Sequence, residues 1–322
     1  MEVIQVFDRP AFRTFYSVAG RLLFAECFNY ELRNLLVDLF AGWQLTPVPF
    51  PDRSPDIQIS FSCGEMPPGS PRNLEQFEVA EGGKCYMDGS ALYLELGGPV
   101  VQLESGSPVS VKVLFTELPR LGDPLPGRAA SFAVCAALRR FGLFDLHSAG
   151  VVEPESEKAV LIIGPSGSGK STLAFELAKA GWSYLSDDEL LLSLKGSVVE
   201  ARGFRSFFAV SEAGAVVKHC FEPEIVLGSR RVDHAAPGCL LFIRLNGQAR
   251  SELRRLTQTE TMTRLITACP WATFDRSVAS ANLELLSALA RQAHGFDLAA
   301  GRDLLDPGFA PSFLNAALNV SS

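Results

Sequence analysis

The sequence of 322 residues lacks the features that mark secreted, metal-binding or membrane proteins. Its seven cysteines are an odd number and none stands in a Cys-x-x-Cys pair, so neither a disulfide framework nor a cysteine zinc site is indicated. The chain opens without a signal peptide, and its most apolar helical stretch, residues 129–138, is too short to cross a bilayer. We therefore expect a cytoplasmic protein without a membrane partner.

Positive charge is also scarce. Lysine and arginine together number 29 against 36 aspartates and glutamates, which gives a net charge of −7 and a pI near 5.3. Proteins that bind nucleic acid through its phosphates need a basic surface, so we expect no nucleic-acid partner. The length is sufficient for two domains, each with its own core.

The most informative stretch is Gly-Pro-Ser-Gly-Ser-Gly-Lys-Ser-Thr at 164–172, which follows the apolar run 159–163 and precedes a helix-forming segment. This order of strand, glycine-rich loop and helix is typical of a phosphate-binding loop; the alternative is a glycine-rich turn carrying a surface lysine. Lys170 can reach β- and γ-phosphates, and the Ser171 hydroxyl can bind Mg²⁺. The candidate nucleotide-binding residues are Gly164, Ser166, Gly167, Ser168, Gly169, Lys170, Ser171 and Thr172.

Two adjacent carboxylates, Asp187 and Asp188, follow a short predicted strand after the loop helix. In such a fold the neighbouring strand ends beside the phosphates, where one carboxylate can hold Mg²⁺ and the other can accept a proton from an attacking hydroxyl. The residues alone do not decide which aspartate has which role. The alternative is a turn or helix cap built from aspartates.

Three further residues are candidates for the same site. On a strand, Glu200 and Arg202 share one face and could supply a second metal contact and a charge clamp; the alternative is a cross-strand ion pair on a solvated hairpin. His147 lies 23 residues before Lys170, at the start of the hairpin that leads into the loop, although a single histidine is commonly a structural residue.

Organisation along the chain indicates an α/β (α+β) protein of two domains. Short alternating strands and one helix predict an α+β domain over 1–120, with a docking or substrate role as one interpretation and simple packing as the other. A segment rich in proline and glycine at 119–128 marks the boundary. Residues 125–322 then form the phosphate-loop domain.

Taken in order, His147, the loop 164–171, Leu-x-Asp-Asp at 185–188 and Glu-x-Arg-Gly at 200–203 resemble the catalytic domain of the HPr serine kinase/phosphorylase family. The resemblance covers about residues 140–205 and implies a nucleotide fold of the phosphoenolpyruvate carboxykinase type that uses ATP and Mg²⁺. It assigns phosphate binding to Lys170, Mg²⁺ binding to Ser171 and Glu200, the proton-accepting role to Asp188, and catalytic positions to His147 and Arg202. Asp187 then becomes the further candidate metal ligand.

The sequence also departs from that family. Thr172 stands where the bifunctional enzymes usually have glutamate, and no Pro-Gly-Arg-Asn segment linked to phosphorolysis follows, so we expect kinase activity and leave the reverse activity open. An arginine that the family has some forty residues after the Glu-x-Arg signature has no clean match here. Arg230, Arg231 and Arg244 are the candidates; the alternative is that all three are surface charges.

The predicted reaction is transfer of the γ-phosphoryl group of ATP to a hydroxyl, with a serine on a small protein or peptide as the acceptor. A small-molecule hydroxyl such as that of free serine is the alternative acceptor. The rival functions are a transport-type or mechanical ATPase, whose Leu-Ser-Gly-Gly-Gln signature is missing, and a non-catalytic nucleotide-sensing module. Members of the family often form rings, so a homo-oligomer is compatible with the resemblance, although no stretch of the sequence indicates an assembly interface.

Overall fold

The computed structural model describes residues 11–65, 75–79, 83–88, 91–120, 123–211, 218–223, 228, 231–306 and 308–319. The chain divides into two compact units. The first comprises Met1–Phe141 with Asp275–Ser277, and the second Gly142–Phe274 with Val278–Ser322. Both contain sheets and helices, which confirms the mixed α/β class predicted from the sequence.

The first unit is organised around a nine-stranded sheet in the order β3-β1-β2-β4-β9-β8-β7-β6-β5. Its strands are β1 Phe12–Val18, β2 Arg21–Cys27, β3 Thr46–Pro47, β4 Ile57–Cys63, β5 Glu75–Val79, β6 Gly83–Asp88, β7 Ala91–Glu95, β8 Pro99–Glu104 and β9 Val109–Phe115. The three central strands β2, β4 and β9 run parallel, and the outer pairs are antiparallel. Alternating residues of β9 such as Val109, Val111 and Val113 are buried, as the period of two in the sequence predicts.

The described part of the first unit contains two helices. Helix α1, Tyr30–Ala41, begins where the side chain of Asn29 accepts hydrogen bonds from the amides of Glu31 and Leu32, and it buries an apolar face. Helix α2, Leu125–Arg139, packs on β8 and β9. Its packing therefore makes α2 part of the first unit, whereas the sequence boundary assigns it to the loop domain; that functional boundary stays a prediction.

The second unit has a six-stranded sheet in the order β13-β11-β12-β19-β21-β20, a four-stranded sheet in the order β10-β14-β15-β18, and the hairpin β16-β17. Its strands are β10 Phe144–Leu146, β11 Ser148–Val152, β12 Ala159–Ile163, β13 Ser183–Ser186, β14 Leu190–Lys195, β15 Val198–Gly203, β16 Phe208–Ser211, β17 Lys218–Phe221, β18 His234–Ala235, β19 Pro237–Leu245, β20 Glu252–Arg255 and β21 His294–Ala300. The two hairpins predicted from the sequence are β11–β12 and β14–β15.

The helices of this unit are α3 Lys170–Lys179, α4 Gln258–Ala268, α5 Trp271–Phe274, α6 Ala279–Gln292 and α7 Phe309–Asn319, with a 3₁₀ turn at Arg302–Leu305. Helix α4 begins at a capping box in which Thr257 and Glu260 satisfy each other's backbone amides. Among the described residues, no helix is both long and apolar enough to cross a membrane.

The six-stranded sheet is buried on both faces, which explains why β12 reads as a continuous apolar run. Val160 and Ile162 of β12 belong to a core cluster with Leu173 of α3. Leu161, on the opposite face, belongs to a second cluster with Leu265 of α4 and with residues of the four-stranded sheet. Since β12, β19 and β21 are parallel, their carboxyl ends meet at one edge, the usual place of a binding site in such sheets.

Candidate functional site

The glycine-rich loop joins the end of β12 at Ile163 to the start of α3 at Lys170. A Cβ on Gly164 would lie 2.5 Å from the carbonyl oxygen of Ile243, so this position accepts no side chain without movement of β19. Gly167 and Gly169 have φ angles of 78° and 94°, in the left-handed region that glycine adopts without strain. The three glycines are thus required by the backbone itself.

The loop also encloses a polar group. The hydroxyl of Ser168 is buried and has no hydrogen-bond partner within the ranges that the structure describes. A buried polar group without a partner is unfavourable, so a ligand or water in the loop is the remaining source of that hydrogen bond.

Lys170 is folded back over the loop that it follows. Its Nζ donates to the carbonyl oxygens of Gly164 at 2.8 Å and Pro165 at 3.1 Å, and it lies 3.0 Å from Nε2 of His147. An ammonium group only donates, so Nε2 of His147 is the acceptor in this contact. The charge of a largely buried lysine is held at the mouth of the loop by these groups.

His147 connects Lys170 to the aspartate pair. With Nε2 accepting from Lys170, the ring proton of the neutral imidazole is assigned to Nδ1, which donates to the carbonyl oxygen of Asp188 at 2.8 Å. The same Nδ1 lies 3.4 Å from Oδ1 of Asp188. The histidine therefore holds two groups in position, the Lys170 ammonium and the Asp188 backbone.

Asp188 lies in a strained turn. The amide of Glu189 donates to the carbonyl of Asp187 at 2.8 Å, which makes Asp188 the centre of a three-residue γ-turn, and its φ angle is 67°. A positive φ at a residue other than glycine is uncommon and marks functional sites more often than other positions. The side chain is about half exposed and therefore accessible to a substrate.

Ser186, which the sequence reasoning did not single out, supports this turn. Its hydroxyl donates to the carbonyl of Glu189 at 2.6 Å and accepts from the amides of Phe204 and Arg205. One buried side chain thus ties the turn to the chain that follows β15. The only sequence signal was its position directly before the two aspartates.

Asp187 faces the other way and is almost fully buried. Its Oδ1 accepts from the Ser171 hydroxyl at 2.7 Å and its Oδ2 from the amide of Ala209 at 2.9 Å. Burial raises the pKa of this carboxyl, and the neighbouring charge of Asp188 adds to that effect against the lowering by the two hydrogen bonds. The structure thus gives the two aspartates different environments, which the sequence could not do.

The Ser171–Asp187 pair fits a bound Mg²⁺. Adjacent oxygens in an octahedron around Mg²⁺ stand about 2.9 Å apart, given metal–oxygen distances of about 2.0–2.1 Å. The two oxygens here are 2.7 Å apart, so both could bind a cation with little movement once the hydroxyl proton rotates away from Asp187. A cation would also favour the ionised carboxylate that burial disfavours.

Glu200 and Arg202 lie on β15, and the structure pairs them with their own sheet. The carboxylate of Glu200 accepts from Lys195 at 2.8 Å and lies 3.4 Å from Arg202 and 3.8 Å from His234. Burial tends to raise the pKa of Glu200, but the Lys195 hydrogen bond and the neighbouring positive charges outweigh it and lower the pKa. These are the contacts of a cross-strand ion pair; the metal role of Glu200 and the catalytic role of Arg202 stay predictions.

Of the three arginines considered from the sequence, Arg244 is placed at the loop. It lines a cavity that Gly164 and Pro165 also line. Arg231 forms an isolated bridge with Tyr184, and Arg230 lies outside the described residues. Thr172 occupies the first turn of α3, next to Ser171.

Comparison with known proteins adds little to this geometry. No protein-family model matches the chain, and no curated protein matches it. Among solved structures, the Hpr(Ser) kinase/phosphatase from Coxiella burnetii is similar at 12% sequence identity and a TM-score of 0.34, covering 55% of this chain and 99% of that one. A likeness at this TM-score does not indicate the function of this chain.

Proposed function

We propose that this protein is an ATP-dependent kinase that transfers a γ-phosphoryl group to the hydroxyl of a serine on a small protein or peptide. The observation that carries the proposal is the hydrogen-bonded chain from Lys170 through His147 to Asp188 at the end of a glycine-rich loop. This chain brings the Lys170 ammonium, which could bind phosphate, near the half-exposed carboxylate of Asp188, which could accept a proton. Phosphoryl transfer to a hydroxyl requires both groups.

In this mechanism, Lys170 exchanges the carbonyls of Gly164 and Pro165 for oxygens of the β- and γ-phosphates. The amides at the start of α3 add hydrogen bonds to the same charge. Because the amides are held in place before the ligand arrives, they stabilise the charge of the transition state without reorganisation. Ser171 and Asp187 would hold Mg²⁺, which supplies charge neutralisation at the β- and γ-oxygens.

Asp188 acts as the base. Its carboxylate accepts the proton of the acceptor hydroxyl while the hydroxyl oxygen bonds to the γ-phosphorus and the bond to the β-phosphate oxygen breaks, releasing ADP. The proton then leaves with solvent, because the side chain is half exposed. His147 positions both partners: its Nε2 holds the Lys170 ammonium and its Nδ1–H holds the Asp188 backbone.

The decisive experiment compares three activities of the purified protein: transfer of label from γ-labelled ATP to candidate serine peptides, transfer to free serine, and hydrolysis without an acceptor. Transfer that is lost in both Lys170→Met and Asp188→Asn supports the proposal. Steady hydrolysis without transfer favours the ATPase instead, and nucleotide binding with neither activity favours a sensing module. Preferential transfer to free serine redirects the acceptor class to small molecules.

A further inference from the structure

A cavity of about 590 Å³ opens beside the glycine-rich loop, on the side away from the aspartates. One wall is the end of β12 with Gly164 and Pro165, a second is the end of β19 at Phe242–Arg244, and the third is a face of α4. Its volume is within the range of about 300–1,000 Å³ that is usual for small-molecule sites.

The helix wall carries a stripe of three threonines. Thr259, Thr263 and Thr267 stand one turn apart on α4 and all line the cavity. The hydroxyl of Thr263 donates to the carbonyl of Thr259 at 2.9 Å, and that of Thr267 donates to the carbonyl of Thr263 at 3.0 Å. Since these two protons are committed to the helix, the Thr263 and Thr267 hydroxyls can only accept hydrogen bonds from a ligand, and the threonine methyl groups add apolar surface to a cavity that Phe242 also lines.

Among the described residues, the charged side chains around the cavity and their ion-pair partners leave an excess of one positive charge. Arg254 pairs with Glu260 at 2.8 Å, and Arg264 pairs with Asp297 at 3.1 Å. The third guanidinium, that of Arg244, reaches the same Asp297 only at 3.9 Å and is more than half exposed. In a protein with a net charge of −7, an apolar cavity with spare positive charge at the phosphate loop suits a flat apolar group attached to an anion.

The strand order indicates which part of a nucleotide would lie here. Asp188 follows β13, which lies on one side of β12, whereas the cavity lies on the other side, at β19. An acceptor hydroxyl must approach Asp188, so the γ-phosphate points toward β13. The nucleoside, at the opposite end of the triphosphate, then extends toward β19.

Building on the kinase function proposed above, we propose that this cavity binds the base and ribose of the nucleotide, through apolar contacts with the threonine stripe and Phe242. Arg244 meets the negative charge where the nucleoside joins the phosphates. A site that hydrogen-bonds one base edge rejects other bases by about 10⁴-fold, whereas an apolar pocket discriminates weakly. The cavity therefore binds ATP and GTP with affinities within about tenfold of each other.

The test fills the cavity without touching the loop. Thr263 is exposed, so Thr263→Trp is compatible with folding, and Gln258→Trp on the same helix but outside the cavity is the matched control. Calorimetry on the full chain with Mg²⁺ measures the binding of ATP, GTP and inorganic tripolyphosphate. We expect Thr263→Trp to weaken ATP at least tenfold and to leave tripolyphosphate unchanged, while Gln258→Trp changes neither.

Two results would overturn the inference: ATP affinity equal to the parent in a folded Thr263→Trp protein, or discrimination of about 10³-fold or more between ATP and GTP. Lys170→Met separates this failure from failure of the kinase function. If Lys170→Met abolishes tripolyphosphate binding while Thr263→Trp leaves ATP binding intact, the loop binds phosphates and only the cavity assignment is wrong. If the parent binds neither ligand, the kinase function itself is wrong.

Discussion

Nζ of Lys170 lies 3.0 Å from Nε2 of His147, and this contact makes the imidazole the link between the glycine-rich loop and the turn at Asp188. The lysine holds the ring in the tautomer whose Nδ1–H donates to Asp188. A change at His147 should therefore affect two groups at once, although the ring itself makes no bond to the reacting atoms in the mechanism proposed.

For His147→Ala, we expect phosphoryl transfer to fall on the order of 10²-fold, because both Lys170 and the Asp188 backbone lose a positioning contact. The loss should appear in kcat more than in KM for ATP, since Lys170 keeps its charge. His294→Ala is the control: His294 begins β21, pairs with Arg255 and should leave transfer unchanged. Equal activity of His147→Ala and the parent would contradict the positioning role.

The left-handed backbone at Asp188 predicts that a substitution at this position can abolish activity without lowering stability. Asp188→Gly should abolish transfer yet unfold at equal or higher urea concentration than the parent, because the strain of about 1–3 kcal/mol that glycine removes offsets or outweighs the greater entropy it gives the unfolded state. Ala19, with a φ of 48° in the first unit, is the matched position: Ala19→Gly should likewise not destabilise, with activity intact. Marked destabilisation by Asp188→Gly would show that the side chain supports the fold.

The buried Asp187 predicts a pH dependence in Mg²⁺-free protein. Its pKa is raised above the ordinary carboxyl value, so between these two pKa values the folded state binds more protons than the unfolded state, and the free energy of unfolding falls as pH rises through that window. Asp187→Asn should remove this part of the slope in urea unfolding measured from acidic to neutral pH.

The urea unfolding of the parent and of Asp187→Asn is then repeated with Mg²⁺ present. At neutral pH Mg²⁺ should raise the unfolding midpoint of the parent but not that of Asp187→Asn, since the variant lacks the anionic ligand. A Mg²⁺ effect of the same size in both proteins would place the cation elsewhere.

A substitution of Glu200 tests whether its carboxylate belongs to an ion pair or binds a metal. Its contacts with Lys195 and Arg202 lead us to expect that Glu200→Gln lowers the free energy of unfolding by at most about 1 kcal/mol and leaves the Mg²⁺ concentration for half-maximal transfer unchanged. Lys195→Met should have a similarly small effect on stability. A higher Mg²⁺ requirement in Glu200→Gln alone would instead support the metal role that the resemblance implies.

The parts of the fold that sequence predicted are those set by local pattern. The apolar run of β12 and the glycines after it depend on neighbours in the chain, and the strand, loop and helix lie where expected. The hairpin β14–β15 was equally local, because Gly196 lies in the turn between its strands.

What sequence could not supply depends on long-range placement. Nothing local distinguishes Asp187 from Asp188; the difference arises because one side chain meets Ser171 and Ala209 while the other is turned to solvent by a γ-turn. The role of Ser186 was missed for the same reason, since its partners at Phe204 and Arg205 follow a different strand. The cavity beside the loop needs α4, which lies nearly a hundred residues further along the chain.

The contact between Gly164 and the Ile243 carbonyl has a consequence for tracing the ancestry of this chain. Because the space for a Cβ at 164 is taken by the backbone of another strand, purifying selection should keep glycine there for as long as the strand–loop–helix survives, whatever chemistry the descendants perform. The side chain of Ser166 is exposed, so the packing of the fold places no such restriction on that position. A search profile weighted on the glycines that geometry imposes should therefore reach further into divergent lineages than one weighted on the reactive side chains.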